Sequence, residues 1–135
     1  MPNREIKYRA YVKILRMMFE VSLIVRQDWK IDEIRCDFPE NEWDPFEYKL
    51  EDVELMQYTG IKDKNWVDIY EGDIIENDYA WYRYTILWDE ERKYHCILNE
   101  KLLKVASLKD WFREWNKPSD FTVIWNIYEN KNLLE

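Results

Sequence analysis

The chain has 135 residues and a formal net charge of −8, and it contains only two glycines and two cysteines. This length suits one domain, or one domain with an appended subdomain, and can bury a core without disulfides or a metal. The acidic balance disfavours general nucleic-acid binding and adhesion to an anionic membrane, because both need an excess of basic side chains. Eight Trp, ten Tyr and five Phe supply ring area for a core and for an interface.

Two strands are predicted at the N-terminus. Apolar residues alternate with polar ones from Ile6 to Val12, and again from Phe19 to Val25. This period is typical of half-exposed strands. The apolar stretch 14–18 between them lacks turn residues, so the sequence does not define where the first strand ends.

Residues 28–54 are strongly acidic and contain Pro39 and Pro45. Within them, 32–38 is a candidate strand and 44–50 a loop or short helix. We interpret the segment as an acidic linker, which divides the chain into an N-terminal β subdomain (1–52) and a second subdomain (53–135).

Short apolar segments separated by polar turns follow from Val53 onwards, and they favour a small curled sheet or barrel over helices. Residues 81–88 and 94–98 read as a hairpin about a charged turn. Ser107 begins a short predicted helix, in which Leu108, Trp111, Phe112 and Trp115 fall at helical spacing. A last strand is predicted from Phe121 to Ile127, and the tail 130–135 reads as a turn.

The sequence contains no recognisable catalytic motif. His95 is the only histidine and adjoins Cys96, but neighbours on a strand point to opposite faces and would not form a catalytic pair. Cys36 and Cys96 also lack the spacing of a zinc or redox site. We therefore predict a protein that is not an enzyme and that needs neither a cofactor nor a metal.

Both glycines lie in one segment, residues 55–75, which predicts that its backbone needs positive φ there. We expect the segment to form turns of the barrel, and the predicted turn residues are Gly60, Asn65, Gly72 and Asp73.

Three segments resemble the YopX family of phage and prophage proteins: residues 4–10 (REIKYRA), 55–75 (LMQYTGIKDKNWVDIYEGDII) and 123–130 (VIWNIYEN), followed by Leu133 and Leu134. Trp66 and Trp125 stand where the family has glycine. Trp disfavours positive φ, so we expect the turn at Asn65 and Trp66 to differ from the family's, with Asn65 better suited to that conformation.

The resemblance implies a mainly β (α+β) fold, with an N-terminal β-containing subdomain and a C-terminal SH3-like β-barrel that carries one short helix. It also implies a phage or prophage origin and no assigned activity, and it brings no catalytic residue to this chain. The N-terminal residues show no signal peptide, and the apolar run 21–25 is too short to span a bilayer. We expect a protein of the bacterial host's cytoplasm with no membrane partner.

The leading functional hypothesis is a non-enzymatic interaction module that binds a host or phage protein. The alternatives are an acidic nucleic-acid mimic that inhibits a DNA-handling enzyme, and a nucleic-acid binder that uses the basic N-terminal strand, although the net charge disfavours a nucleic-acid partner. The basic stretch 4–16 and the acidic stretch 28–54 are complementary, so copies of the chain could self-associate, or the two stretches could pack within one monomer. The candidate interaction surface consists of Arg4, Lys7, Arg9, Glu40, Glu42, Asp44 and Glu47.

Overall fold

The computed structural model describes residues 6–27, 30–37, 46–79, 82–99, 104–114 and 117–129. The described residues are mainly strand, as predicted, with one short α-helix and two 3-10 turns at Leu50–Asp52 and Pro118–Asp120. The elements are β1 (Tyr8–Val12), β2 (Met17–Gln27), β3 (Lys30–Asp37), β4 (Phe46–Lys49), β5 (Val53–Lys62), β6 (Asp68–Tyr70), β7 (Asp73–Asn77), β8 (Arg83–Asp89), β9 (Tyr94–Asn99), β10 (Lys104–Ser107), α1 (Leu108–Glu114) and β11 (Phe121–Asn126).

The described strands form two antiparallel sheets, and neither closes into a barrel. One has the strand order β4-β3-β2-β1-β5-β6, and the other has the order β10-β9-β8-β7-β11. The mainly β prediction is therefore confirmed, whereas the SH3-like barrel is not.

The chain divides into two compact units, one formed by Ile6–Gln57 and the other containing all described residues from Tyr58 onwards. In the first unit, β1 pairs with β2 on one side and with the start of β5 on the other. The alternation that predicts β1 and β2 does place Ala10, Val12 and Phe19 in a core. Both N-terminal strands are thus confirmed, and the break between them is a four-residue loop, 13–16, closed by a hydrogen bond from the Arg16 N–H to the Val12 carbonyl (2.8 Å).

The linker interpretation of residues 28–54 is wrong for its described part. β3 pairs with β2 and with β4, so this acidic stretch adds two strands to the first sheet. The physical reason is that Ile34 and Cys36 alternate with charged residues and bury completely in the core. The candidate strand 32–38 is confirmed as β3, whereas the loop or short helix predicted at 44–50 is wrong, because residues 46–49 form β4. Residues 38–45 lie outside the described part of the chain.

The second unit has its own core beneath α1. Leu108 is fully buried, and Trp111 and Phe112 pack against the same cluster, which confirms the predicted helix and its apolar face. Phe112 also lies edge-on to Phe121 of β11, with ring centroids 5.4 Å apart. Trp115 and the tail lie outside the described residues.

β8 and β9 form the predicted hairpin about a charged turn, and Tyr84, Ile86 and Ile97 point into the core. The last predicted strand is β11, whose pairing with β7 shifts register between Val123 and Trp125. β10 was not predicted, since its four residues show no clear alternation.

Candidate interaction surface

A buried carboxylate organises the turn between β5 and β6. Asp63 is 6% exposed. Its Oδ1 accepts hydrogen bonds from the N–H groups of Asn65 (2.8 Å) and Val67 (2.9 Å), and its Oδ2 accepts one from the N–H of Val123 (2.9 Å). One side chain therefore satisfies three backbone donors and joins the turn to β11.

The backbone of this turn follows the pattern of a three-residue hairpin loop. The Trp66 N–H donates to the Asp63 carbonyl (3.1 Å), and the Asp63 N–H donates to the Val67 carbonyl (2.9 Å). Such loops end in a left-handed residue, usually Gly. Trp66 occupies that position with φ 62°, whereas Asn65 has no positive φ. Asn65 is the better suited of the two residues, but the bonds around Asp63 require the left-handed conformation one residue later, at Trp66.

Trp66 is strained and exposed at the same time. Its side chain is 79% exposed, so core packing does not compensate for the unfavourable backbone. A left-handed conformation costs a residue other than glycine about 1–2 kcal/mol. Such strain is found preferentially at functional sites, where the surrounding structure enforces it.

A second turn carries another exposed ring. Tyr79 follows β7 and is also 79% exposed. Its N–H donates to the Asn77 side chain (2.9 Å), and the Asn77 N–H donates to the carbonyl of Tyr82, which is itself half exposed (2.9 Å). Local hydrogen bonds therefore also hold the described residues of this second turn.

An ion pair joins the two turns. The Lys64 Nζ lies 2.8 Å from the Asp78 Oδ2. Their hydrogen bond lowers the pKa of Asp78 and raises that of Lys64, so both groups stay charged across the neutral range. The pair is at the surface, so it links the two turns but contributes little to the free energy of folding.

Both turns are also fastened to the start of β11. The Lys64 N–H donates to the Phe121 carbonyl (3.0 Å), and the Asp78 N–H donates to the Asp120 carbonyl (2.9 Å). The Thr122 hydroxyl donates to the Asp78 Oδ1 (3.2 Å). The result is a braced pair of turns, whose exposed apolar and aromatic side chains we call the aromatic surface: Trp66, Val67, Tyr79 and Tyr82.

Replacing Trp66 with glycine is expected to stabilise the protein. The variant relieves the left-handed strain and loses little packing, so the free energy of unfolding should rise by about 0.5–1 kcal/mol after the entropy of the added glycine is subtracted. Chemical denaturation measures this change. Asn65→Gly is the matched control. Residue 65 has no positive φ, so glycine relieves no backbone strain there. A destabilised Trp66→Gly protein would contradict the assignment.

The predicted turn residues have different roles in the structure. Gly60 has φ 86°, but it lies within β5, where the pairing with β6 shifts register, and not in a turn. Gly72 has φ 84° in the turn between β6 and β7, as predicted. Asp73 is almost fully buried, and its Oδ2 accepts the Tyr70 N–H (2.8 Å) across that turn. The glycines thus adopt the expected positive φ, at one bulge and one turn.

The described members of the predicted charged surface are not a free patch. Lys7, just before β1, and Arg9, within it, are half buried, and Glu47 forms an ion pair with Arg35 (2.6 Å). Lys13 of the basic stretch lies 3.5 Å from Glu54 of the acidic stretch, so the two stretches meet within one chain. Arg4, Glu40, Glu42 and Asp44 lie outside the described residues.

His95 and Cys96 have separate surroundings on β9. The His95 Nε2 lies 3.0 Å from the Glu71 Oε1, and its ring is edge-on to Trp88, with centroids 5.0 Å apart. Cys96 is buried, and burial raises the pKa of its thiol. A buried thiol with a raised pKa is a poor nucleophile at neutral pH.

Both thiols are expected to react slowly with a thiol reagent in the folded protein. Cys36 and Cys96 are buried, and the raised pKa of Cys96 keeps it in the unreactive thiol form. Absorbance at neutral pH, before and after guanidinium chloride is added, measures the labelling. Rapid labelling of either cysteine without denaturant would contradict the prediction.

Across the described ranges, no three His, Cys, Asp or Glu side chains are placed to share a metal ion. No helix in the same part of the chain has the length and apolarity to cross a bilayer.

Comparison with known proteins defines the class of this chain. The family model of the YopX protein matches residues 7–135, and the chain therefore belongs to the YopX family. The crystal structure of protein EF1440 from Enterococcus faecalis is similar, with a TM-score of 0.65 and 26% sequence identity over 98% of this chain and 100% of that one. No curated protein matches the chain.

Proposed function

We propose that the protein is a non-enzymatic interaction module, which binds a partner protein through the aromatic surface. The observation that carries this proposal is Trp66, which is 79% exposed and adopts a strained backbone conformation in a turn held by several hydrogen bonds. Trp and Tyr are enriched among the residues that dominate binding energy, because each buries a large area with few rotatable bonds. The proposal includes the phage or prophage origin and the location in the host cytoplasm.

The bracing of the turns supports a recognition role. Asp63, the Lys64–Asp78 ion pair and the β11 contacts fix the backbone before any partner arrives. A preformed surface binds with a smaller entropy cost than a flexible one, since fewer side chains and loops must be ordered. At 79% exposure, the Trp66 ring makes too little packing contact to stabilise the fold that strains it.

The test is quantitative capture of proteins from a bacterial host extract by the immobilised chain. Wild type and Trp66→Gly are compared by mass spectrometry, and we expect a protein that wild type captures to be lost from the variant. Trp66→Gly is expected to fold more stably than wild type, so its loss of binding would not reflect unfolding.

The matched control is Trp88→Ser. Trp88 is also a partly exposed ring, but it lies at the far end of β8 from Tyr82, about 20 Å along the strand. We expect Trp88→Ser to capture the same protein as wild type. Identical capture profiles for wild type and Trp66→Gly would refute the proposed function.

A further inference from the structure

The loop between β1 and β2, together with the first residue of β2, presents aliphatic side chains to solvent. Ile14 is 80% exposed, and Leu15 and Met17 are about half exposed. A hairpin loop is ordinarily polar, because aliphatic side chains in water forfeit the free energy of burial. These residues belong to the first unit, whereas the aromatic surface belongs to the second.

The loop is held in place by the 3-10 turn Leu50–Asp52. The Lys13 N–H donates to the Asp52 carbonyl (3.2 Å), and the Lys13 Nζ donates to the Glu51 carbonyl (3.1 Å). Leu50 of this turn is itself more than one-third exposed. We call Ile14, Leu15, Met17 and Leu50 the aliphatic tip.

Charges of both signs border the aliphatic tip. Lys13 is neutralised by Glu54 at 3.5 Å. The Arg16 guanidinium and the Glu51 and Asp52 carboxylates form no ion pair in the described part of the chain. An apolar centre with a mixed polar rim is the usual composition of a protein interface.

We propose that the aliphatic tip is the contact surface for a second copy of this chain, arranged with twofold symmetry. A twofold contact brings the same patch of both copies together, so the patch must complement itself. The aliphatic tip meets that condition, since Arg16 of one copy can face Glu51 of the other while the aliphatic side chains meet at the axis. Two other partners, a basic protein surface and an anionic membrane, complement these charges less well. A basic surface would attract the acids but repel Arg16, and an anionic membrane would be repelled by the carboxylates.

The experiment measures the mass of the full chain by light scattering coupled to size exclusion, over a series of concentrations. We expect wild type to approach twice the 17.0 kDa of one chain as concentration rises. Ile14→Ser combined with Leu15→Ser should remain at one chain throughout. Both positions are exposed, and an unchanged melting temperature checks that the variant is folded.

Charge reversal tests the twofold arrangement itself. Arg16→Glu and Glu51→Arg should each raise the dissociation constant at least about tenfold, because like charges then face each other. A mixture of the two variants should form a mixed dimer that neither forms alone. Trp88→Ser, in the other unit and outside the aromatic surface, is the control and should dimerise like wild type.

Three results would overturn the proposal. They are a wild-type mass of one chain at all concentrations, a dimer that survives the Ile14→Ser and Leu15→Ser variant, and failure of the mixture to restore association. Co-sedimentation of wild type, but not this variant, with vesicles of phosphatidylserine and phosphatidylcholine would assign the aliphatic tip to membranes instead. Because the aromatic surface is not involved, failure here leaves the capture experiment with Trp66→Gly unaffected.

Discussion

Replacing Asp63 with alanine is expected to lower the free energy of unfolding by about 2–4 kcal/mol, the largest effect of any single substitution considered. The carboxylate accepts three backbone hydrogen bonds, from Asn65, Val67 and Val123. Removing it leaves these donors without their partner in a partly buried site, and it also removes one of the two hydrogen bonds between the turn and β11. Urea denaturation measures the change.

Glu90→Ala is the control for this prediction. Glu90 lies in the turn between β8 and β9 and forms a surface ion pair with Lys93 (2.8 Å). Surface pairs contribute about 0–1 kcal/mol, so the control should lose much less stability than the Asp63 variant. Equal losses for the two variants would show that Asp63 is an ordinary surface acid and that the turn is not built around it.

Replacing Gly72 with valine is expected to lower the free energy of unfolding by about 1–3 kcal/mol. Gly72 has φ 84°, and a β-branched residue is strongly disfavoured there. The residue is also buried, and its N–H donates to the Ile86 carbonyl (2.7 Å) while its carbonyl accepts from the Ile127 N–H (2.9 Å). The backbone therefore cannot relax to another conformation without losing both bonds.

Gly60→Ala separates backbone strain from packing in this comparison. Gly60 has nearly the same φ, 86°, but a Cβ atom at this position would meet no other atom within 4 Å. Its substitution should cost only the strain, about 1 kcal/mol, and less than Gly72→Val. An unchanged melting temperature for Gly72→Val would contradict the role assigned to this turn.

The sequence predicts the elements whose apolar period is regular. β1, β2, the β8–β9 hairpin and α1 all follow from spacing alone, because burial of one face requires that spacing. β3 was predicted only as a candidate strand inside a linker, and β4 was missed, since the acids of this stretch suggest a solvated linker while only Ile34 and Cys36 indicate burial. The order of strands within each sheet also depends on which strands pair, and the spacing of apolar residues does not specify those pairings.

The candidate site was harder to predict for a conformational reason. Arg16, Trp66 and Lys93 all have positive φ, and none is a residue type that signals it. Hydrogen bonds across each loop impose the conformation, and these bonds are visible only in the folded chain. The buried environment of Asp63 was equally hidden, although an Asp at the start of a turn is a known local signal.

The dissociation constant between the captured partner, once purified, and the chain is the most direct test of the aromatic surface. Titration of that partner with wild type and with Trp66→Gly should give a constant at least about thirtyfold higher for the variant, as expected when a central indole worth ~2 kcal/mol is removed. The same Trp66→Gly preparation should unfold at a higher denaturant concentration than wild type. Weaker binding by a more stable protein is the result that this account predicts. An unchanged dissociation constant would contradict it, and the strained conformation of Trp66 would then have no functional explanation.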